Sequence, residues 1–287
     1  MWIPLSLASA LFQVLRNAAM KRLGHALDEY INVWGRFAFV LPFALVGCLL
    51  RPWPTLKPGF LPWCVAFGVS QTLATLALSK ALKLSAISLV TPLWKVSLLG
   101  LLAMGYAVGE RPTALGIVGV LLSAAGVYLI NISRGRISVW EPLRVLVTDR
   151  GQCYTLVAAL FYGPAVLTFK QVVLTSDPAA GTFAAYSAAT LVMTPLALTT
   201  SARHLTAIPR YWATFTALGL FATLTSLAHG SAYTLTLASY VEAVKQVDVV
   251  FAMAAGILFF RESERVREVA PGAAVMLLGM VLLALAG

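Results

Sequence analysis

The chain has 287 residues, of which 60% are hydrophobic and only 11% charged, with a mean hydropathy of +0.85 and a net charge of +10. Soluble domains carry about 25% charged residues, so this composition argues against a soluble globular protein. Recurring apolar runs without polar–apolar alternation argue against a transmembrane β-barrel. The basic residues sit mostly in short connectors, with no basic domain or aromatic-basic stripe, so they speak for membrane orientation and not for nucleic acid.

The pattern predicts an all-α polytopic membrane protein with ten spans, at about 3–22, 30–50, 60–80, 86–108 and 114–132, then 151–172, 182–200, 212–237, 240–260 and 269–287. The first begins "MWIPLSLASALFQVLRNAAMKR", without a basic stretch ahead of the apolar run or a convincing cleavage site. It reads as a retained span. It carries Gln13 and Arg16, and Arg16 either snorkels or turns inward with Gln13. Arg36 enters the second span near Asn32 and Trp34 and reads as a structural pairing residue. "RPWPTLKPG" closes that span, and the third carries Gln71.

The fourth span contains "LVTPLWKVSLLGLL". Pro92 leaves a carbonyl unpaired and is expected to kink the helix. Trp94 and Lys95 follow, and no acid lies within a turn of Lys95. A kink with a mid-span ammonium reads as a cavity wall. After "GERPT" and the fifth span, the connector "SRGRISVWEPLRVLVTDR", Ser133 to Arg150, divides the chain nearly in half. The sixth span holds Tyr162, with Lys170 near its end, where snorkelling explains the charge. Tyr186 and His229 follow in the seventh and eighth, as aromatic or polar candidates to line a site.

The ninth span opens "SYVEAVKQVDVVFAM", with Glu242, Lys245 and Asp248 three residues apart and so near one helix face. Either they form an ion-pair ladder that makes the helix tolerable in lipid, or they line a cavity where Lys245 binds solute and one acid carries a proton. "RESERVRE" leads into the tenth span. Cys48, Cys64 and Cys153 have no metal-site spacing. They read as small apolar residues, and no metal or cofactor is called for.

The two halves resemble each other. "LASALF" (Leu7–Phe12) matches "LVAALF" (Leu156–Phe161) at an offset of 149, which also places Lys21 on Lys170. "LPFAL" at Leu41 matches "TPLAL" at Thr194, and Gly119 and Gly126 match Gly272 and Gly279, all at an offset of 153. The same offset aligns Lys95 with Asp248. Five spans per half is an odd number, so the second half enters the membrane from the opposite side. That predicts an inverted repeat, 1–132 and 151–287, joined by the connector at 133–150.

In "GERPTALGIVGVLLSAAGVYLI" (Gly109–Ile130) and "RESERVREVAPGAAVMLLGMVLL" (Arg261–Leu283), an acidic residue just after a span precedes a glycine-rich closing helix. Through these segments the chain resembles a ten-helix, EamA-type member of the drug/metabolite transporter superfamily. The second copy departs from the usual Gly-Glu pair with Arg261-Glu262. The resemblance implies that helices 1–4 and 6–9 enclose a central cavity and that helices 5 and 10 pack outside. The Gly-x6-Gly spacing there suits close helix packing and a homodimer contact through helices 5 and 10. Members of this superfamily that carry organic phosphates or nucleotide sugars meet the phosphate with basic side chains, which Lys95 and Lys245 loosely resemble.

Thirteen Lys/Arg fall in connectors 1–2, 3–4, 5–6, 7–8 and 9–10, against three in the alternate ones, which predicts both termini outside. Better-known relatives are drawn with both termini in the cytoplasm. Within the spans, five bases (Arg16, Arg36, Lys95, Lys170, Lys245) exceed two acids (Glu242, Asp248). Excess positive charge favours an anionic or zwitterionic solute. The expectation is a secondary transporter of such a small molecule in a bacterial inner membrane. It would work by alternating access, with Lys95, Lys245, Glu242, Asp248, Arg16, Gln13, Trp94, Tyr186, Gln71 and His229 as candidate contacts. The alternatives are an exporter of amino acids or cationic drugs that uses Glu242 or Asp248, and a lipid flippase or accessory membrane subunit. No nucleotide-binding loop and no acid–base or nucleophile constellation of an intramembrane enzyme is present in the sequence.

Overall fold

A computed structural model describes residues 1–24, 27–85, 90, 93–95, 97–135, 140, 149–251 and 266–286. Among these residues the ordered structure is helical throughout, with no strand. Its helices are α1 (Trp2–Gly24), α2 (Glu29–Ala38), α3 (Val40–Leu49), α4 (Phe60–Leu84), α5 (Ser97–Gly105) and α6 (Ala114–Gly135). They continue as α7 (Arg150–Leu174), α8 (Pro178–Ser201), α9 (Trp212–Tyr233), α10 (Ala238–Lys245) and α11 (Val266–Ala286). Short 3₁₀ segments run over Tyr106–Val108 and Ala202–Tyr211. The expected kink at Pro92, the Arg261-Glu262 pair and most of the connector at 133–150 lie outside the described residues.

Among the described residues, four helical stretches are long and apolar enough to cross a membrane: Glu29–Leu49, Phe60–Leu84, Arg150–Leu174 and the 56-residue run Pro178–Tyr233. Shorter apolar helices cover Leu93–Val108, Ala114–Ile130 and Ala270–Ala286.

The chain divides into two compact units, and each draws on both halves of the sequence. The first unit comprises Met1–Leu76 and Pro164–Leu235, the second Ala77–Gly163 and Thr236–Gly287. Helices α4 and α7 contribute a segment to each.

In the first unit, α1 packs on α9, and α8 lies against α2 and α3. Two helix starts are set by aspartates: Asp28 accepts the Ile31 N–H at 2.9 Å, and Asp177, ahead of Pro178, accepts the Ala180 N–H at 2.7 Å. The second expected span is broken at Phe39, between α2 and α3. Just past the break, Thr223 Oγ1 lies 3.3 Å from Val40 O, while it donates to Gly219 O in its own helix at 2.8 Å. The Phe39 ring stacks on Phe215 at 4.9 Å and meets Trp212 edge-on at 5.3 Å. Gly219 admits this approach, because a Cβ on it would lie 2.0 Å from Phe39 O. Leu23, Leu27, Ile31, Ala197, Phe215 and Leu218 form the adjoining core.

In the second unit, α6 packs on α11, and α10 packs on α5 and α6. The α6–α11 seam is made by four glycines. A Cβ on Gly119 would meet Gly279 O at 3.0 Å, and one on Gly279 would meet Gly119 O at 2.7 Å. A Cβ on Gly126 would meet Gly272 O at 2.6 Å, and one on Gly272 would meet Gly126 O at 2.9 Å. The earlier glycine of one helix faces the later glycine of the other, so the helices run antiparallel. The Gly-x6-Gly faces are therefore used against each other within the chain.

Candidate functional site

Four of the five charged candidates, Lys95, Glu242, Lys245 and Asp248, are brought together in the second unit, on and around α10. Lys95 Nζ lies 3.1 Å from Asp248 Oδ1 and 3.3 Å from Oδ2. No acid lies within a turn of this ammonium along the chain; the fold supplies one from 153 positions away. Lys245 Nζ donates to Glu242 Oε1 at 2.5 Å, an i,i+3 pair that is 7% and 3% exposed. Tyr162 donates its hydroxyl to the other oxygen of Glu242, and Trp94 meets the Tyr162 ring edge-on at 4.7 Å. Buried charges persist where each is paired and its remaining hydrogen-bonding capacity is used, and Glu242 meets that condition at both oxygens.

The ladder expected along one straight face is interrupted. Helix α10 ends at Lys245, and the backbone tightens through three-residue turns. Gln246 N–H donates to Ala243 O (3.3 Å), Val247 N–H to Val244 O (3.1 Å) and Val249 N–H to Gln246 O (3.2 Å). Such 3₁₀-like turns within a helix shift the direction in which later side chains point. Asp248 lies beyond the break, and from there it reaches Lys95.

Helix α10 is docked along α6 by polar contacts. Glu110, buried in the connector ahead of α6, accepts the Ala238 N–H at 2.8 Å and so caps the start of α10. The Tyr240 hydroxyl accepts the Thr113 N–H at 3.0 Å and lies over Gly116, where a Cβ would collide with it. Ser123 Oγ donates to Ala243 O at 3.2 Å. Replacing the cap should loosen the charged helix. We expect Glu110→Ala to lower unfolding stability by about 1–2 kcal/mol, and Glu110→Gln, which keeps an acceptor, by clearly less. Thermal unfolding in detergent measures both.

The other five candidates belong to the first unit. Arg16 is buried, and its Nε and Nη2 donate to Asn17 Oδ1 at 3.3 and 3.0 Å, with Gln13 half-buried on the same helix. Gln71 Nε2 donates to Thr75 Oγ1 at 2.9 Å along its own helix. Tyr186 accepts from Ser226 Oγ at 3.0 Å. His229 Nδ1 lies 3.5 Å from Ser9 Oγ, and its ring packs edge-on against Phe169 and Tyr233. Phe169 touches both Tyr186 and His229, so these two share an aromatic core. Lys170 corrects an expectation: α7 continues to Leu174, and the side chain is buried at 7% exposure instead of snorkelling.

Several residues of the charged cluster were not singled out by their sequence. Ser239 Oγ and Gln246 Oε1 are buried, with no hydrogen-bond partner among the described residues. Ser239, Glu242 and Gln246 stand at i, i+3 and i+7, the spacing of one helix face. That spacing was visible in the sequence, but the two uncharged members drew no attention beside three charges.

The EamA-like transporter family matches residues 149–285 of the chain. A solved crystal structure of a protein is similar in fold, with a TM-score of 0.76 and 13% identity, over 99% of this chain and 96% of that one. No curated protein matches the chain in sequence.

Proposed function

We propose that this chain, whose residues 149–285 match the EamA-like transporter family, is a membrane transporter of the drug/metabolite type that carries a small anionic or zwitterionic solute by alternating access. The observation that carries the solute class is the composition of the α10 cluster. It pairs two lysines with two carboxylates, and beside Glu242 it holds two buried acceptors, Ser239 Oγ and Gln246 Oε1, with no donor among the described residues. A solute carboxylate or phosphate would take Lys245, and a solute ammonium would take Glu242 and the open acceptors. Because the cluster itself pairs charges one to one, it favours a zwitterion over a simple anion.

Ten membrane helices in two inverted five-helix repeats are the architecture this reading uses. The 153-residue offset that aligns Gly119 with Gly272 and Gly126 with Gly279 also exchanges the two glycine contacts, as a two-fold relation requires. Helices at equivalent places in the two halves pack together: α2 with α8, α5 with α10, α6 with α11. A bacterial inner membrane is the proposed location. A homodimer through α6 and α11 would have to use their outer faces, since their glycines are engaged internally.

The test is thermal stability of the purified protein against matched panels of anionic, zwitterionic and cationic metabolites. Zwitterions should stabilise the wild type most, and Lys245→Ala should remove the effect. Stabilisation by cations alone would replace this reading with a carboxylate-based exporter.

A further inference from the structure

We infer that Lys95 and Asp248 form a positioning pair on the pseudo-two-fold axis of the second unit, held in both access states, and do not contact solute. The inference rests on the inverted-repeat transporter reading above.

Two positions related by the repeat offset are equivalent places in the two repeats. In any two-fold arrangement, residue i meets j's mate while j meets i's mate, and a residue meets its own mate only beside the axis. Lys95 and Asp248 are mates at the 153-residue offset, and they touch at 3.1 and 3.3 Å. The glycine seam supplies a second, independent marker of the same axis. Its contacts Gly119–Gly279 and Gly126–Gly272 exchange under the same offset, so the axis passes between α6 and α11, midway along the seam from one glycine contact to the other. Two separate parts of one compact unit thus obey one two-fold relation.

The consequence follows from how inverted repeats alternate. In passing from one access state to the other, each repeat takes up the conformation its mate had. A contact between i and j's mate is then replaced by one between i's mate and j. A contact between mates maps onto itself, and so it survives the transition. Lys95–Asp248 is such a contact. The Tyr162–Glu242 bond is not, because the offsets of 149 and 153 map those residues onto Gln13 and Leu89, which cannot form a phenol–carboxylate bond. The two ion pairs therefore divide the work. The axial one keeps helices of the two repeats in register through the cycle, while the Glu242–Lys245 pair is left to meet solute.

The experiment uses the full chain in phosphatidylethanolamine–phosphatidylglycerol liposomes. Counterflow is followed with a mixture of tritiated L-amino acids as the zwitterionic probe and with radiolabelled inorganic phosphate as the anionic one. Cys48, Cys64 and Cys153 are first changed to alanine. Lys95→Cys with Asp248→Cys removes both charges of the pair together, and the thiols are joined by a short bis-methanethiosulfonate tether. Counterflow should stay within about threefold of the untethered protein, because the joined positions need not separate. The charge swap Lys95→Asp with Asp248→Lys should likewise retain function. Lys95→Ala alone should lower Vmax about tenfold or more while KM stays within about twofold, since no solute contact is lost.

Arrest by the tether, relieved when a thiol reductant cuts it, would overturn the inference. So would a Lys95→Ala protein whose KM rises while Vmax holds. Wild-type protein that moves neither probe overturns the solute reading itself, and the axial assignment goes with it.

Discussion

Gly126→Leu should cost the protein its folded second unit. A Cβ at this position would stand 2.4 Å from Met276 N, 2.6 Å from Gly272 O and 2.7 Å from Met276 Cα. All three are backbone atoms of α11, so no side-chain rotation relieves the clash, and the helices must separate along the seam. Close approach of this kind is where glycine earns its place in membrane helices. The expected result is loss of the monodisperse peak in detergent chromatography, with even Gly126→Ala lowering the unfolding temperature measurably. Gly279→Leu, at the equivalent position in the second half, should behave alike, since its Cβ would meet Ser123 N at 2.6 Å. Gly100 in α5 is the control. Nothing described lies within 4 Å of its would-be Cβ, so Gly100→Ala should be neutral or slightly stabilising. Equal sensitivity at Gly100 and Gly126 would mean that the seam is not what holds α6 to α11.

Glu242→Ala should be the most damaging change in the charged cluster. It takes the carboxylate partner from the Lys245 ammonium, which is 7% exposed, and an acceptor from the Tyr162 hydroxyl. Removing one partner of a buried pair costs about 3–5 kcal/mol, a large share of any domain's stability. Replacing both partners with apolar groups of similar volume is often neutral. The double change Glu242→Leu with Lys245→Met should therefore recover most of the stability lost in the single variant. It should nonetheless fail to be stabilised by the zwitterionic panel. Thermal unfolding with and without the panel separates the two effects. If the double variant recovers both stability and ligand response, the pair is structural and the solute is held elsewhere.

Much of the helical plan was legible because it rests on composition and periodicity. Runs of apolar residues bounded by "RPWPTLKPG" and "GERPT" correspond to helices α3, α4, α5 and α6. The glycine spacing in "GIVGVLLSAAG" was readable as a packing face, and the geometry shows which helix it packs against. The Lys95–Asp248 contact was harder. The offset named the two residues as mates, but only the fold shows that mates touch. The break after Lys245 carries no proline or glycine, so no local signal marked it. It arises where Ser123 takes the Ala243 carbonyl and Asp248 turns to Lys95, and both are tertiary demands. Glu110 was visible as an acidic residue in a connector, yet its use as a cap depends on the start of α10, 128 positions later. Lys170 was misjudged because its burial comes from packing in the fold, which leaves no local mark in the sequence near a helix end.

The interleaving of the two units bears on how the chain comes to be folded. Neither unit is built from one continuous stretch: the first needs residues up to Leu235, and the second needs α11. While the ribosome is still making the second half, α6 has its glycine face uncovered, and α1 and α2 wait for α9 and α8. Contacts between segments so distant in sequence close slowly. The early helices must therefore sit in lipid as a loose, partner-seeking set during synthesis. Helix α6 presents close-packing glycines throughout that interval, so it is the segment with most to gain from a membrane chaperone and the one most prone to pair with the wrong neighbour.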